Sequence, residues 1–220
     1  MTRPVVEDYL KQIYLAQGKG GRGRVATGAL AEALDLTPGT VTGMLKSLAA
    51  DGLVDYAPYG GVRLTARGSR LARTVLRRHR LVETFLVSVM GLDWSEVHAE
   101  AEALEHAVSD RLLARMDEML DRPATDPHGQ PIPRAGESPR SAPTTGLDEA
   151  ALSRPLQLVR VEDETPAFLR LLAKHGVRPG CRLAVAARDA AAGTVSARAP
   201  RGVLTLGLAA AARLRVIEDA

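Results

Sequence analysis

Apolar residues recur three and four positions apart along the first third of the chain, which is the spacing of one face of an α-helix. The predicted helices cover residues 4–17, 27–34 and 38–51. A short turn at 35–38 joins the last two helices, and an alternating stretch at 53–64 with a Pro- and Gly-rich turn predicts a hairpin. Three helices followed by a hairpin predict a winged helix-turn-helix module over residues 1–73.

The remainder of the chain is predicted to be a helical module, a linker and a small β domain. Long helical patterns over 66–90 and 94–120 predict a dimerisation module, 74–122, and the Pro-rich stretch that follows predicts an extended or disordered linker, 123–153. In residues 154–220, five short strands around one helix predict an SH3-like β-barrel. The predicted strands are 156–161, 182–187, 194–198, 203–206 and 214–217, and the helix is 166–175. The fold class is therefore mainly α with a small β part.

Charge is distributed unevenly between the first two modules. Residues 1–80 carry 13 Lys or Arg and 6 Asp or Glu, whereas residues 81–122 carry 3 and 10. A basic module favours a polyanionic partner and an acidic one favours a cation, although an unevenly charged solvated surface would give the same counts. One cysteine, no signal peptide and no apolar run near roughly 20 residues predict a cytoplasmic protein without a membrane partner.

Candidate metal ligands cluster on the two long helices. Acidic and histidine side chains are spaced three or four residues apart there, so each set is expected on one helical face. Carboxylates and imidazoles together suit a hard to borderline divalent cation, whereas a chance group of surface carboxylates is the simpler alternative. The candidates are His79 and Glu83 on the first helix, and His98, Glu102, Glu105 and His106 on the second.

Other functions compete with metal-dependent DNA binding. A hydrolytic metalloenzyme could use the same ligand types, but the helical zinc-protease motifs, a Ser–His–Asp pattern and nucleotide-binding glycine loops are absent, so no enzymatic activity is expected. A sensor of an organic ligand or oxidant would have only Cys181 for redox chemistry, and one cysteine cannot form an internal switch. A winged helix can also serve protein contacts alone.

Five sequence motifs carry a family resemblance. They are EDYLKQIY at 7–14, DGLV at 51–54, RHRLVE at 78–83, VHAEAEALEH at 97–106 and PHGQPIP at 127–133. Together they resemble the diphtheria-toxin-repressor family, which includes iron-dependent and manganese-dependent regulators, and the resemblance covers nearly the whole chain. It implies a homodimeric repressor of metal-homeostasis genes that binds a double-stranded DNA operator with a metal corepressor.

The resemblance implies two metal sites. The primary site consists of Asp8, Glu102, Glu105 and His106, and the ancillary site of His79, Glu83 and His98. Glu164 falls where the C-terminal domain of family members can complete the ancillary site. Ala167 stands where the family has a second ligand from that domain, a Gln.

The primary site favours manganese. Iron-type members have Met and Cys where this chain has Asp8 and Glu102, whereas manganese-type members have Asp and Glu. Carboxylates favour the hard Mn(II) ion over softer metal ions, so Mn(II) is the expected cofactor and Fe(II) the second candidate. Lys11 stands where manganese-type members tend to have Glu, so no binuclear site is expected there.

The third predicted helix is expected to enter the major groove. A metal bound by Asp8 and by ligands of the second module would fix the spacing of two such helices in a dimer. Small residues at the leading end of the helix would read bases through methyl contacts and a close backbone. They are Thr37, Pro38, Gly39, Thr40, Thr42 and Gly43. Expected phosphate contacts are Lys46, Arg63 and either Arg22 or Arg24.

Overall fold

The computed structural model describes residues 4–18, 23–134 and 143–219. The chain divides into two units, the first ending at Arg78 and the second beginning at His79.

The first unit is a helix-turn-helix with a hairpin wing. Its elements are α1 (Pro4–Gln17), α2 (Thr27–Ala33), α3 (Pro38–Ala50), β1 (Val54–Ala57), β2 (Gly61–Leu64) and the start of α4 (Ala66–Ser88). Apolar side chains from the three helices and the hairpin share one core, which confirms the predicted winged helix-turn-helix. The buried residues include Leu10, Ile13, Leu30, Val41, Leu45 and Leu48.

Local chemistry sets the start of α3 and ties the wing to the preceding loop. The Thr37 hydroxyl accepts a hydrogen bond from the Thr40 amide at 3.2 Å, and Pro38 occupies the first turn, where no amide donor is needed. β1 and β2 pair in antiparallel fashion, and Val25 forms a backbone bridge to Val62, which lies in the second residue pair from the turn of the hairpin.

The second unit contains two short helices where the sequence predicts one. After the end of α4 come α5 (Val97–Leu104) and α6 (Asp110–Met119), so the prediction of a continuous helix over 94–120 is wrong. Ser109 caps α6 by accepting a hydrogen bond from the Leu112 amide at 3.3 Å. The break therefore comes from a serine N-cap rather than from glycine or proline. Neither α4 nor any other helix in the described ranges combines the length and apolar character that a bilayer span requires.

Residues 123–134 fold against α4, although the sequence predicts an extended linker there. His128 is completely buried, and Arg80 of α4 donates a hydrogen bond to the Pro131 carbonyl at 2.6 Å. Of the rest of the predicted linker, residues 135–142 lie outside the described residues, whereas residues 143–153 belong to the C-terminal part, where Leu147 and Ala150 are buried.

The C-terminal part is an antiparallel sheet with two helices. Its elements are β3 (Thr145–Gly146), β4 (Leu156–Val161), α7 (Pro166–Lys174), β5 (Arg182–Asp189), β6 (Thr194–Ala199), β7 (Gly202–Gly207), α8 (Leu208–Ala212) and β8 (Leu214–Glu218). The strand order is β3-β8-β4-β5-β6-β7, which contains all five predicted strands and adds β3. Among the described residues the edge strands β3 and β7 do not pair, so the SH3-like domain is an open sheet rather than a closed barrel.

Candidate metal centre and DNA-binding surface

Apolar packing between α4 and α5 brings the predicted ligands of the second unit together. Val82 of α4 packs in one cluster with Val97 and Ala101 of α5. His79 and Glu83 lie one helical turn apart on α4, and both side chains are buried. The sequence spacing therefore predicted their shared helical face, and the packing of α5 supplies the partners.

His79 lies at the centre of a cluster of carboxylates and imidazoles. Its Nδ1 atom is 2.7 Å from Glu105 Oε2, and its Nε2 atom is 3.0 Å from Glu83 Oε1. His98 Nδ1 lies 3.1 Å from both His79 Nε2 and Glu83 Oε1. His79, Glu83 and His98 thus present ligand atoms within 4.8 Å of one another, a spacing at which they could hold one cation.

Three of the predicted primary ligands, Glu102, Glu105 and His106, belong to the second unit, and Asp8 belongs to the first. Glu105 is fully buried, and its Oε1 atom lies 3.3 Å from His106 Nε2. The Glu102 carboxylate is partly exposed and lies 3.7 Å from His79 Nδ1. Glu105 and His106 follow the end of α5 in a turn, but Glu105 keeps helical φ and ψ angles, and its amide donates a hydrogen bond to the Ala101 carbonyl at 2.9 Å. Asp8 is half-buried on α1 in the first unit.

A further group of ligand-type side chains includes residues that sequence reasoning missed. Glu83, His128 and Glu164 present ligand atoms within 4.8 Å of one another. Asp126 is buried beside them, where its Oδ1 atom accepts hydrogen bonds from the amides of His128 and Gln130. Glu164 is therefore near Glu83, as the resemblance implied, but its histidine neighbour is His128.

The protonation pattern of His128 can be read from its contacts. Its Nε2 atom lies 2.9 Å from the Trp94 carbonyl oxygen, which can only accept, so Nε2 carries the proton. The Nδ1 atom is buried without a hydrogen-bond partner among the described residues and lies 4.0 Å from Glu83 Oε2. A neutral imidazole in this tautomer keeps a lone pair on Nδ1, which is what a metal ligand requires.

The pKa values of the buried carboxyl groups Glu83 and Asp126 shift in opposite directions. Burial by itself would raise the pKa of Glu83, but hydrogen bonds with His79 and His98 outweigh it and lower that pKa. The hydrogen bond to Glu83 in turn raises the pKa of His98. At Asp126, burial and then the neighbouring Glu83 carboxylate raise the pKa, although Arg80 lies 3.4 Å away. The charged form of Asp126 is disfavoured, and a bound cation would relieve that cost.

A glycine was the available signal for the missed group. Gly129 has a φ of +84°, and a Cβ there would overlap the Val159 carbonyl oxygen. Only glycine fits such a position, so the Asp-Pro-His-Gly run is a built turn. The abundance of proline nearby is typical of a linker, so the whole stretch was predicted to be one.

The predicted base-reading residues form an exposed surface at the start of α3. Pro38, Gly39, Thr40 and Gly43 are exposed, whereas Thr42 is half-buried and donates a hydrogen bond to the Pro38 carbonyl. A Cβ at Gly43 would meet nothing within 4 Å, so packing inside the protein does not require glycine there. Glycine nevertheless costs helical stability at such a position relative to alanine.

The basic residues near α3 differ in exposure and in their contacts with a carboxylate. Lys46 is exposed one turn beyond Gly43. Arg63 of the wing and Arg24 of the preceding loop both contact Asp55 Oδ2 at 2.8 Å, and these hydrogen bonds lower the Asp55 pKa. Arg63 and Arg24 thus share one carboxylate, whereas Arg22 lies outside the described residues.

Comparison with known proteins assigns each part of the chain. Residues 1–62 match the family described as "Iron dependent repressor, N-terminal DNA binding domain", and residues 65–134 match its "metal binding and dimerisation domain". Residues 145–218 match the FeoA domain. The diphtheria toxin repressor of Corynebacterium diphtheriae is 33% identical over 197 residues, which are 83% of this chain and 84% of that protein. The chain belongs to the diphtheria-toxin-repressor family of metal-dependent transcriptional repressors.

Other members of the diphtheria-toxin-repressor family are similar in sequence and structure. The iron-dependent repressor IdeR of Mycobacterium tuberculosis is 40% identical over 69% of this chain, and the match spans 65% of the length of IdeR. A "manganese-dependent transcriptional repressor complex with manganese" has a TM-score of 0.87 and 41% identity, covering 97% of this chain and 100% of that one. ScaR with bound Zn²⁺ has a TM-score of 0.81 and 32% identity over 97% and 99% of the two chains.

Proposed function

We propose that this chain is a cytoplasmic homodimeric repressor that binds operator DNA of metal-homeostasis genes, with Mn(II) as its corepressor and Fe(II) as the second candidate. The observation that carries the proposal is the packing of buried carboxylates against imidazoles in the second unit. Glu83, Glu105 and Asp126 are at most 5% exposed, and ionising buried carboxyl groups is costly unless cations offset the charge. A divalent cation would supply positive charge at such a site.

The donor set supports manganese. The candidate ligands of the second unit are carboxylates and imidazoles. Hard oxygen donors suit Mn(II), whereas sulfur donors favour softer ions and are typical of the iron-type pattern. We therefore rank Mn(II) above Fe(II).

Three groups of residues would share the binding work. We propose Asp8, Glu102, Glu105 and His106 for the primary site, and His79, Glu83 and His98 for the ancillary site. We add Asp126 and His128 as ligands that would join Glu164 beside Glu83. This addition is supported by the buried, unpartnered Nδ1 atom of His128 and by the crowding that raises the pKa of Asp126.

Regulation would follow from ligands on different modules. Asp8 belongs to α1 of the DNA-binding module, whereas Glu102, Glu105 and His106 belong to the dimerisation module. When these side chains bind one ion, they would restrict the orientation of α3 in each protomer. Without it, their carboxylates repel one another, and the DNA-binding conformation would be a minor population.

DNA-binding titrations test this function. Fluorescence anisotropy of labelled operator DNA would be measured with Mn(II), anoxic Fe(II), Zn(II) and Co(II), and with chelator. We expect stimulation by Mn(II) and none with chelator.

Asp8→Ala and Glu102→Ala should abolish the stimulation while the circular dichroism spectrum stays unchanged. Glu100→Ala is the matched control, because Glu100 is an exposed acid on the same helix. Wild-type metal dependence in Asp8→Ala and Glu102→Ala would refute the primary site.

A further inference from the structure

Trp94 belongs to the loop between α4 and α5, but its ring is buried in the core of the C-terminal sheet. It is the only tryptophan of the chain and is 1% exposed. Its neighbours in this cluster are apolar residues of the β domain, among them Leu147, Leu158, Leu169, Val177 and Val216. The Arg178 guanidinium lies 4.9 Å from the ring centroid, within cation–π distance.

The same residue holds His128 through two contacts. The Trp94 and His128 rings stack with centroids 5.5 Å apart and an interplanar angle of 22°. The Trp94 carbonyl oxygen accepts the hydrogen bond from His128 Nε2 at 2.9 Å. The ring fixes where the imidazole lies, and the carbonyl fixes which nitrogen carries the proton.

Other contacts of this loop are weaker restraints. Ser95 donates hydrogen bonds to the Asp93 side chain, which is a local contact within the loop. Arg170 lies 3.2 Å from Glu96, but both side chains are more than half exposed, and such pairs contribute little. The burial of the Trp94 ring is therefore the main constraint on the position of its own carbonyl group.

We propose that Trp94 is a positioning residue that holds His128 in the Nε2–H tautomer, so that its Nδ1 lone pair faces Glu83 and Glu164. The metal-binding part of this inference rests on the proposed function, whereas the tautomer is a property of the chain alone. Residues that fix the outer nitrogen of a histidine ligand spare it a change of tautomer when the other nitrogen binds a metal. Because the Trp94 ring is anchored in the β domain, the tautomer of His128 depends on the packing of that domain around Trp94.

Two measurements test the role of Trp94. The first is the long-range ¹H–¹⁵N spectrum of the metal-free protein, with His128 assigned by comparison with His128→Gln. We expect the Nε2–H tautomer in the wild type and a mixture in Trp94→Ala. The second is Mn(II) binding followed by the electron paramagnetic resonance signal of the free ion.

The size of the loss in Mn(II) affinity and the variant Trp94→Phe distinguish a positioning role of Trp94 from a general role in folding. Loss of a residue that orients a metal ligand typically weakens metal affinity about 10- to 100-fold. We expect Trp94→Ala to weaken Mn(II) binding by this amount at the same site whose Mn(II) binding is lost in His128→Gln. Trp94→Phe keeps an aromatic ring in the core and should restore both the tautomer and most of the affinity.

The outcomes distinguish this inference from the proposed function. An Nδ1–H tautomer in the wild type would overturn the inference, as would an unchanged tautomer in folded Trp94→Ala. A tautomer that changes in Trp94→Ala supports the inference even if His128→Gln binds as much Mn(II) as the wild type. That second result would instead contradict His128 as a ligand and leave the other proposed sites standing.

Discussion

Gly43 offers the sharpest test of the DNA-binding surface, because its replacement by alanine should move protein stability and DNA affinity in opposite directions. Gly43 is exposed in the interior of α3, and a Cβ there meets nothing within 4 Å. Alanine is favoured over glycine in an exposed helix by about 1 kcal/mol, so Gly43→Ala should stabilise the free protein by roughly that amount.

The effect on DNA should have the opposite sign. If the backbone of α3 approaches the bases at Gly43, an added methyl group overpacks that contact, which costs about 1–3 kcal/mol at each site. Two half-sites in a dimer would then lose at least about 2 kcal/mol, which is roughly 30-fold in affinity.

The assays are urea unfolding of the free protein and anisotropy titrations of operator DNA at saturating Mn(II). Gly28→Ala is the matched control, because Gly28 is an exposed helical glycine on α2 whose Cβ would also meet nothing within 4 Å. We expect the control to keep its affinity. Unchanged operator affinity in Gly43→Ala would refute close approach of the DNA at this position.

Three further predictions address charge, metal choice and the C-terminal domain. Lys46→Ala should reduce the slope of log affinity against log salt by roughly one for each half-site, and an unchanged slope would show that Lys46 is only a solvated side chain. Asp8→Met combined with Glu102→Cys should shift DNA-binding activation from Mn(II) toward anoxic Fe(II), because sulfur ligands suit the softer ion, and a constant ratio of the two would place selectivity elsewhere. Glu164→Ala should raise the Mn(II) concentration needed for half-maximal DNA binding without lowering the maximum, since it removes one carboxylate near Glu83 and none from the primary site.

Much of the fold was predictable because its signals are local. The helical spacing of apolar residues placed α1 to α4, and the turn before Pro38 gave the start of α3. Alternating runs placed the five long strands of the C-terminal sheet to within two residues at each end. These elements bury one face against a core, so the periodicity of the sequence contains their geometry. β3, with two residues, is too short to produce such a pattern.

In the candidate site, too, the relations that could be predicted are those between residues close in sequence. The spacing of His79 and Glu83 placed both on one face of α4, because a helix fixes that relation within one turn. The break after Leu104 escaped prediction, since a serine cap at Ser109 resembles an ordinary polar position inside a helical pattern. Local patterns therefore described the ligands that belong to one helix and missed the turn that carries Glu105.

Only the tertiary structure brought Asp126 and His128 to the ligands of α4. They are separated from Glu83 by more than 40 positions, and the proline-rich composition around them is typical of a linker. The turn at Gly129 adjoins them, and the ring of Trp94, which comes from a different loop, stacks on His128. The sequence by itself determined which chemical groups and which helical faces are available. Which distant groups share a buried site was decided by packing between elements, because contacts far apart in sequence have no periodicity of their own.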